Sequence, residues 1–237
     1  MLRILFSSIY YQTLIFLRIK IAVFFTFIFP IVIFVVFGNI WGGNGSKYFP
    51  FLLSGIIGMT VASDGLNAVG SIIKDYYSSG LLKYLRKLPF NIILHFMGLI
   101  ISRVLSLLFI IIILCIVSRL MFDHIVSLSD FFYYILGTLI GLFTFSFIGL
   151  VLNFIGIKYE STSGITNLFY FIMLFTSDAF YPASSANNFI GIAGNSLPLN
   201  PILHILRNEG YYWNLLPWLV IPPVLFYFIF HNLKTNR

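Results

Sequence analysis

The sequence predicts an all-α integral membrane protein with six transmembrane helices, an N-terminal interfacial helix, a short cytoplasmic helix after the second span and a re-entrant outer segment between spans five and six. Three observations predict it. Of 237 residues, 59% are hydrophobic and only 9% are charged, with a mean hydropathy of +0.99; soluble domains carry about 25% charged residues. The apolar stretches are continuous and long, which suits helices, whereas barrel strands would alternate over roughly 10 residues. The 28 Phe and 14 Tyr fit lipid-facing and interfacial positions.

Residues 1–20 mix Arg3, Ser7, Ser8, Gln12, Thr13, Arg18 and Lys20 with apolar and aromatic side chains. A signal peptide would need an unbroken apolar region and a small-residue cleavage site, and Arg18 and Lys20 stand where that site should be. An interfacial helix leading into the remaining unit, 21–237, is the better reading. From Ile21 to Trp41 no charge interrupts the chain, enough to cross a hydrocarbon core of ~30 Å, with Pro30 expected to kink it midway. The glycine-rich stretch from Trp41 to Lys47 is superficially similar to a phosphate loop, but it lacks the G-x-x-x-x-G-K-[ST] spacing and a preceding strand, so it reads as a turn.

A second span, Phe49 to Ile73, contains Asp64. The third, from about Ile92 to Ser118, carries His95 and Arg103. Intramembrane charges face the bundle interior, water or a partner, so Asp64 and Arg103 either pair across adjacent spans or reach polar surface independently. Between these spans lies the densest charge in the chain, from Lys74 to Phe90. Read as a helix from near Ser79, it places Leu81, Leu82, Leu85 and Leu88 on one face and Lys83, Arg86 and Lys87 opposite, with Pro89 as its stop. Such a helix can anchor to lipid or be gripped by a soluble partner.

The fourth span, Phe131 to Ile157, contains Gly137 and Gly141 at a small-xxx-small spacing suited to close helix packing. A fifth span covers roughly Ser161 to Ser177. Asp178, Tyr181 and Pro182 then lead into a small-residue, semi-polar stretch through Pro198 and Pro201. It is too broken to cross a bilayer, so it reads as a re-entrant or interfacial cap. The sixth span runs from about Tyr211 to Phe230.

Charge placement orients the spans. Arg3, Arg18, Lys20, Lys74, Lys83, Arg86, Lys87, Lys158, Lys234 and Arg237 fall on one side, and only Lys47, Arg119 and Arg207 on the other. The positive-inside rule therefore places both termini in the cytoplasm of a multi-pass cell-membrane protein, expected in a bacterial cytoplasmic membrane. The same distribution accounts for the net charge of +7 without nucleic acid as a partner. Cys115 is the single cysteine, so no internal disulfide or cysteine-based metal framework forms.

No Walker A pattern, H-E-x-x-H or G-x-S-x-G occurs, so the sequence offers no catalytic residue, no metal site and no cofactor of its own. The two halves do not repeat each other as secondary transporters do, and no charged ring marks a channel. A membrane scaffold or assembly subunit stays open as the alternative to transport.

Three stretches carry a resemblance: Phe29-Pro-Ile-Val-Ile-Phe-Val-Val-Phe-Gly38, Gly80-Leu-Leu-Lys-Tyr-Leu-Arg-Lys-Leu-Pro89 and Leu197-Pro-Leu-Asn-Pro-Ile-Leu-His-Ile-Leu-Arg207. In this order and spacing the chain resembles the ABC-2 type permeases of ATP-binding-cassette exporters over essentially its whole length. The resemblance implies a permease dimer, of identical or different copies, working with separate ATP-binding subunits that hold ATP and Mg. It implies export of hydrophobic or amphipathic cargo such as drugs, lipids or lipid-linked glycans. It assigns coupling to the ATPase to Gly80, Leu81, Leu82, Lys83, Leu85, Arg86, Lys87 and Leu88. It also makes the segment with Asp178, Tyr181, Pro182, Pro198 and Pro201 the cap of the outer mouth. Two positions differ from many relatives: Tyr76 to Ser79 stand where acidic residues precede the loop glycine, and Ser177-Asp178 replaces Ser-Gly.

Overall fold

A computed structural model describes residues 2–42, 48–87, 92–155, 159–182, 187–210 and 212–235, and the described residues are helical with no strand. Ten helices follow in order: α1 (Leu2–Arg18), α2 (Lys20–Trp41), α3 (Tyr48–Ser78), α4 (Leu81–Lys87), α5 (Ile92–Phe122), α6 (Leu128–Phe154), α7 (Tyr159–Thr176), α8 (Asn188–Ser196), α9 (Leu199–Leu206) and α10 (Leu216–Thr235), the last entered through a 3-10 turn at Trp213–Leu215. Among the described residues five helices are long and apolar enough to cross a membrane: α2, α3, α5, α6 and α10 with its entering turn. The count becomes six if α8 and α9, bent by 83° at a short break, are taken as one span. The expected fifth span corresponds to α7, whose apolar part, Gly164–Thr176, is shorter than the others.

Helix α3 is the axis of the bundle. Its most apolar stretch is 78% buried, against 22% for α2 and 11% for α10, so the latter two are peripheral in this chain. What lets α3 sit so deep is small residues at its crossings. A Cβ on Gly65 would overlap Phe145, one on Gly70 would overlap the backbone of Gly149, and one on Gly149 would overlap the Leu66 carbonyl. The chains of α3 and α6 therefore touch backbone to backbone. The Gly137 and Gly141 pair serves the same end elsewhere on α6, receiving Leu206, Ile202 and Val61.

Two helices are locally widened. In α2 a π turn at Phe24–Ile28 immediately precedes Pro30. Proline lacks an N–H and its ring crowds the carbonyl four residues back, and the wider turn lies where that crowding falls. A second π turn occupies Asp64–Val69 of α3. Helix α3 also runs to Ser78, past Lys74, where the sequence suggested a loop. The rings of Tyr76 and Tyr77 explain it: Tyr76 stacks on His95 at 5.8 Å and Tyr77 meets Phe154 at 5.4 Å, holding the wet end against the bundle.

Candidate functional site

At the end of α3 the chain turns through Ser79 and Gly80. The Ser79 N–H donates to the Asp75 carbonyl at 2.9 Å and the Gly80 N–H to the Tyr77 carbonyl at 3.2 Å. Gly80 has φ of +75°, the left-handed conformation that glycine adopts without penalty at a helix C-terminus. This turn launches α4, on which Leu81 and Lys87 are exposed, Leu85 is half-buried and Tyr84 is 71% exposed. Leu88 and Pro89 lie outside the described residues, as do the side chains of Leu82, Lys83 and Arg86.

Beside this end, α1 lies along α5 on a polar seam. The Ser8 hydroxyl donates to the His95 carbonyl at 3.2 Å, Gln12 donates to the Tyr76 hydroxyl at 3.0 Å, and Thr13 and Ser102 share a hydroxyl contact at 2.8 Å. A Cβ on Gly98 would collide with Ser8, so α1 is seated closely. One turn deeper, the Arg103 guanidinium lies 4.4 Å from the centroid of Phe16 of α1 and 3.6 Å from Asp64 Oδ1. Both charged side chains are buried, 6% and 4% exposed. The structure thus brings Asp64 and Arg103 together, and it adds Phe16 as a third member. Asp64 Oδ2 has no hydrogen-bond partner among the described residues.

The opposite end holds the segment expected as the cap, built around Arg207. Its Nε donates to the Ser54 hydroxyl at 2.8 Å, and Nη2 donates to the Asp178 carbonyl at 2.6 Å and the Phe51 carbonyl at 3.3 Å. The guanidinium also covers the Phe51 ring at 3.9 Å. Burial pulls the Arg207 guanidinium down to about 10, with Glu209 and Asp178 opposing, so it stays charged at neutral pH. Asn200, fully buried, accepts from the Asp178 N–H at 2.8 Å and donates to Asn195 at 3.1 Å and to Asp178 Oδ2 at 3.4 Å. Close backbone approaches lock the pieces: a Cβ on Gly55 would run into the Ala179 carbonyl, and one on Gly194 into the Thr176 carbonyl.

The remaining cap residues fall into place. Pro198 caps α9 and Pro201 lies in its first turn, where no N–H is needed, and both are buried. Tyr181 donates to the Phe175 carbonyl at 3.2 Å, and Pro182 is exposed. The two charge sites do not meet. Ser54 and Asp64 lie ten residues apart on α3, about 15 Å along the axis.

Arg207, Asn200 and Gln12 are the residues that sequence reasoning passed over. For Arg207 a signal existed: a cation ending the apolar run Ile202-Leu203-His-Ile205-Leu206 is placed to meet helix C-terminal carbonyls. Among the described residues no group of three or more His, Cys, Asp or Glu could hold a metal ion.

With this geometry established, comparison with known proteins adds one positive finding. The profile of a family described as ABC-2 type transporter matches residues 4–209, from α1 through the end of the cap. A search of curated proteins returns no match.

Proposed function

Because this chain belongs to the ABC-2 type transporter family, we propose that it is the permease subunit of an exporter whose energy comes from a separate ATP-binding subunit. Membership makes it a multi-pass membrane subunit of a transporter; the finer reading concerns where force enters and what crosses. The observation that carries it is α4. A seven-residue helix launched by a left-handed glycine, with Tyr84 and Leu81 facing outward, is unprotected apolar surface at the end of the molecule richest in positive charge. These 237 residues contain no phosphate-binding loop, which fits a reading in which the ATP site is supplied from elsewhere. An exposed aromatic anchor on a helix whose sequence also carries Lys83, Arg86 and Lys87 suits a groove with an acidic rim.

In this reading Gly80 to Leu88 couples to the ATPase, that end faces the cytoplasm, and the Asp178–Arg207 cap closes the outer mouth. Two permease copies form the path. The cargo is hydrophobic or amphipathic, since the charges along the bundle are matched internally rather than presented as a charged lining. The test is co-expression with the ATP-binding subunit. Tyr84→Ala with Leu85→Ala should leave membrane levels unchanged and weaken co-purification more than about tenfold, the equivalent of losing roughly 2 kcal/mol at one anchor. Substrate-stimulated ATP hydrolysis should fall with it. Unchanged values for both would leave α4 a lipid anchor and return the scaffold reading.

A further inference from the structure

Between the last two turns of α5 and the start of α6 lies a groove of about 640 Å³. Ile112, Ile116, Leu120, Ile125, Val126 and Phe131 form its body, with Cys115 among them. Its polar groups are Arg119 and the Ser127 hydroxyl. Ile112 and Arg119 are seven residues apart on one helix, so the apolar body extends about 10 Å from the guanidinium toward the bundle middle. The groove is therefore amphipathic along its length, charged at the α5–α6 turn and apolar below.

Arg119 is exposed, and among the described residues no hydrogen bond or ion pair engages it. The acids at this turn, Asp123 and Asp130, do not approach it within ion-pair distance. Ser127 caps α6, accepting from the Asp130 N–H at 3.0 Å, so the positive end of a 27-residue helix also faces the turn. Around these groups the surface is built for hydrocarbon: Leu120 is 78% exposed and Leu128 90%.

We propose that this groove seats one anionic phospholipid, its phosphate on Arg119 and an acyl chain along Ile112, Ile116 and Phe131. The site is separate from the cap and from α4, and it stands whether or not the chain exports anything. A guanidinium forms paired bonds to phosphate oxygens, and charge complementarity selects an anionic headgroup over a zwitterionic one, whose trimethylammonium the Arg119 cation repels. Apolar volume selects a lipid over a free anion. A soluble phosphate would meet one exposed cation and two nearby carboxylates with nothing to offset their repulsion, whereas an acyl chain contributes about 0.8 kcal/mol per buried methylene.

The chain's single cysteine reports on occupancy, because Cys115 lines the groove. Full-length protein is placed in nanodiscs of phosphatidylcholine alone or with phosphatidylglycerol, and the rate of Cys115 alkylation by a lipid-soluble maleimide is measured. Phosphatidylglycerol should slow the reaction about tenfold, the value of one charge-assisted contact, and should raise the thermal unfolding midpoint. In Arg119→Gln both effects should vanish while the rate and midpoint in phosphatidylcholine match wild type, which also shows that the variant is folded. Arg119→Lys should keep part of the protection. Equal rates in the two kinds of disc, or full protection in Arg119→Gln, overturns the proposal. Protection by soluble glycerol phosphate in phosphatidylcholine discs overturns the lipid and leaves an anion site.

Discussion

A guanidinium that donates to Ser54, Phe51 and Asp178 while covering the Phe51 ring joins α3, the α7 end and α9 through one side chain. Arg207→Ala should therefore lower the unfolding free energy in detergent by about 3 kcal/mol, and Arg207→Lys by about 1.5 kcal/mol, since an ammonium keeps the charge but not the fork. Equal stability of Lys and wild type would mean that charge alone matters. The Asp64–Arg103 pair makes a different prediction. Removing either partner leaves a buried charge, so Asp64→Asn and Arg103→Gln should each cost about 3 kcal/mol, and the double variant should cost at least about 1 kcal/mol less than their sum. A double variant that costs the full sum of the two singles refutes the coupling. The chain offered the Asp64–Arg103 pairing only as one of two alternatives, and the Arg207 partnership not at all. Ser54 and Arg207 are 153 residues apart, and hydropathy does not state which way a buried helix is rotated.

Helices were legible where apolar runs were long and uncharged, as over Ile21 to Trp41, which α2 covers from Lys20 to Trp41, because hydropathy is summed over a whole span; the start of α6 at Leu128 rather than Phe131, and α9 as a helix, were not. The end of α3 was not, because Lys74 and Asp75 look solvated while two tyrosines bind that turn to neighbouring helices. At this scale glycines separate two kinds of constraint. Gly80 is required for its backbone angle and has open space around it. Gly80→Ala should cost about 1–2 kcal/mol locally and misdirect α4, lowering recovery of the ATP-binding subunit more than protein level; unaffected recovery would separate α4 from coupling. Gly149 is required for its lack of volume. Gly149→Ala should cost about 3 kcal/mol or prevent accumulation, whereas Gly164→Ala, with nothing within reach of the new methyl, should be neutral or stabilising by up to about 1 kcal/mol. Thermal unfolding of the pair measures both.

The whole molecule has two unlike ends, one carrying α1, α4 and most of the cations, the other the cap and the α5–α6 turn. With Cys115 replaced by Ser, a cysteine at His124 should react with an impermeant thiol reagent in intact cells and one at Ser79 only after the membrane is opened. Labelling at Ser79 in intact cells reverses the molecule and with it the proposed direction of export. Between these ends, α3 offers Gly55 and Gly58 to the segment around Arg207 and Gly65 and Gly70 to α6, and the π turn at Asp64–Val69 follows the first pair, holds Gly65 and ends just before Gly70. A π turn holds one residue more than the α turn it replaces, so it acts as a phase step. Deleting Asn67 would restore ordinary winding and swing everything below it by about 100°, carrying Gly70 off Gly149 while leaving hydropathy almost unchanged. Aliphatic side chains along this span can drift among themselves over generations, but the number of residues inside that turn is counted, and a reading-frame-preserving loss of one codon there would be as damaging as a charge.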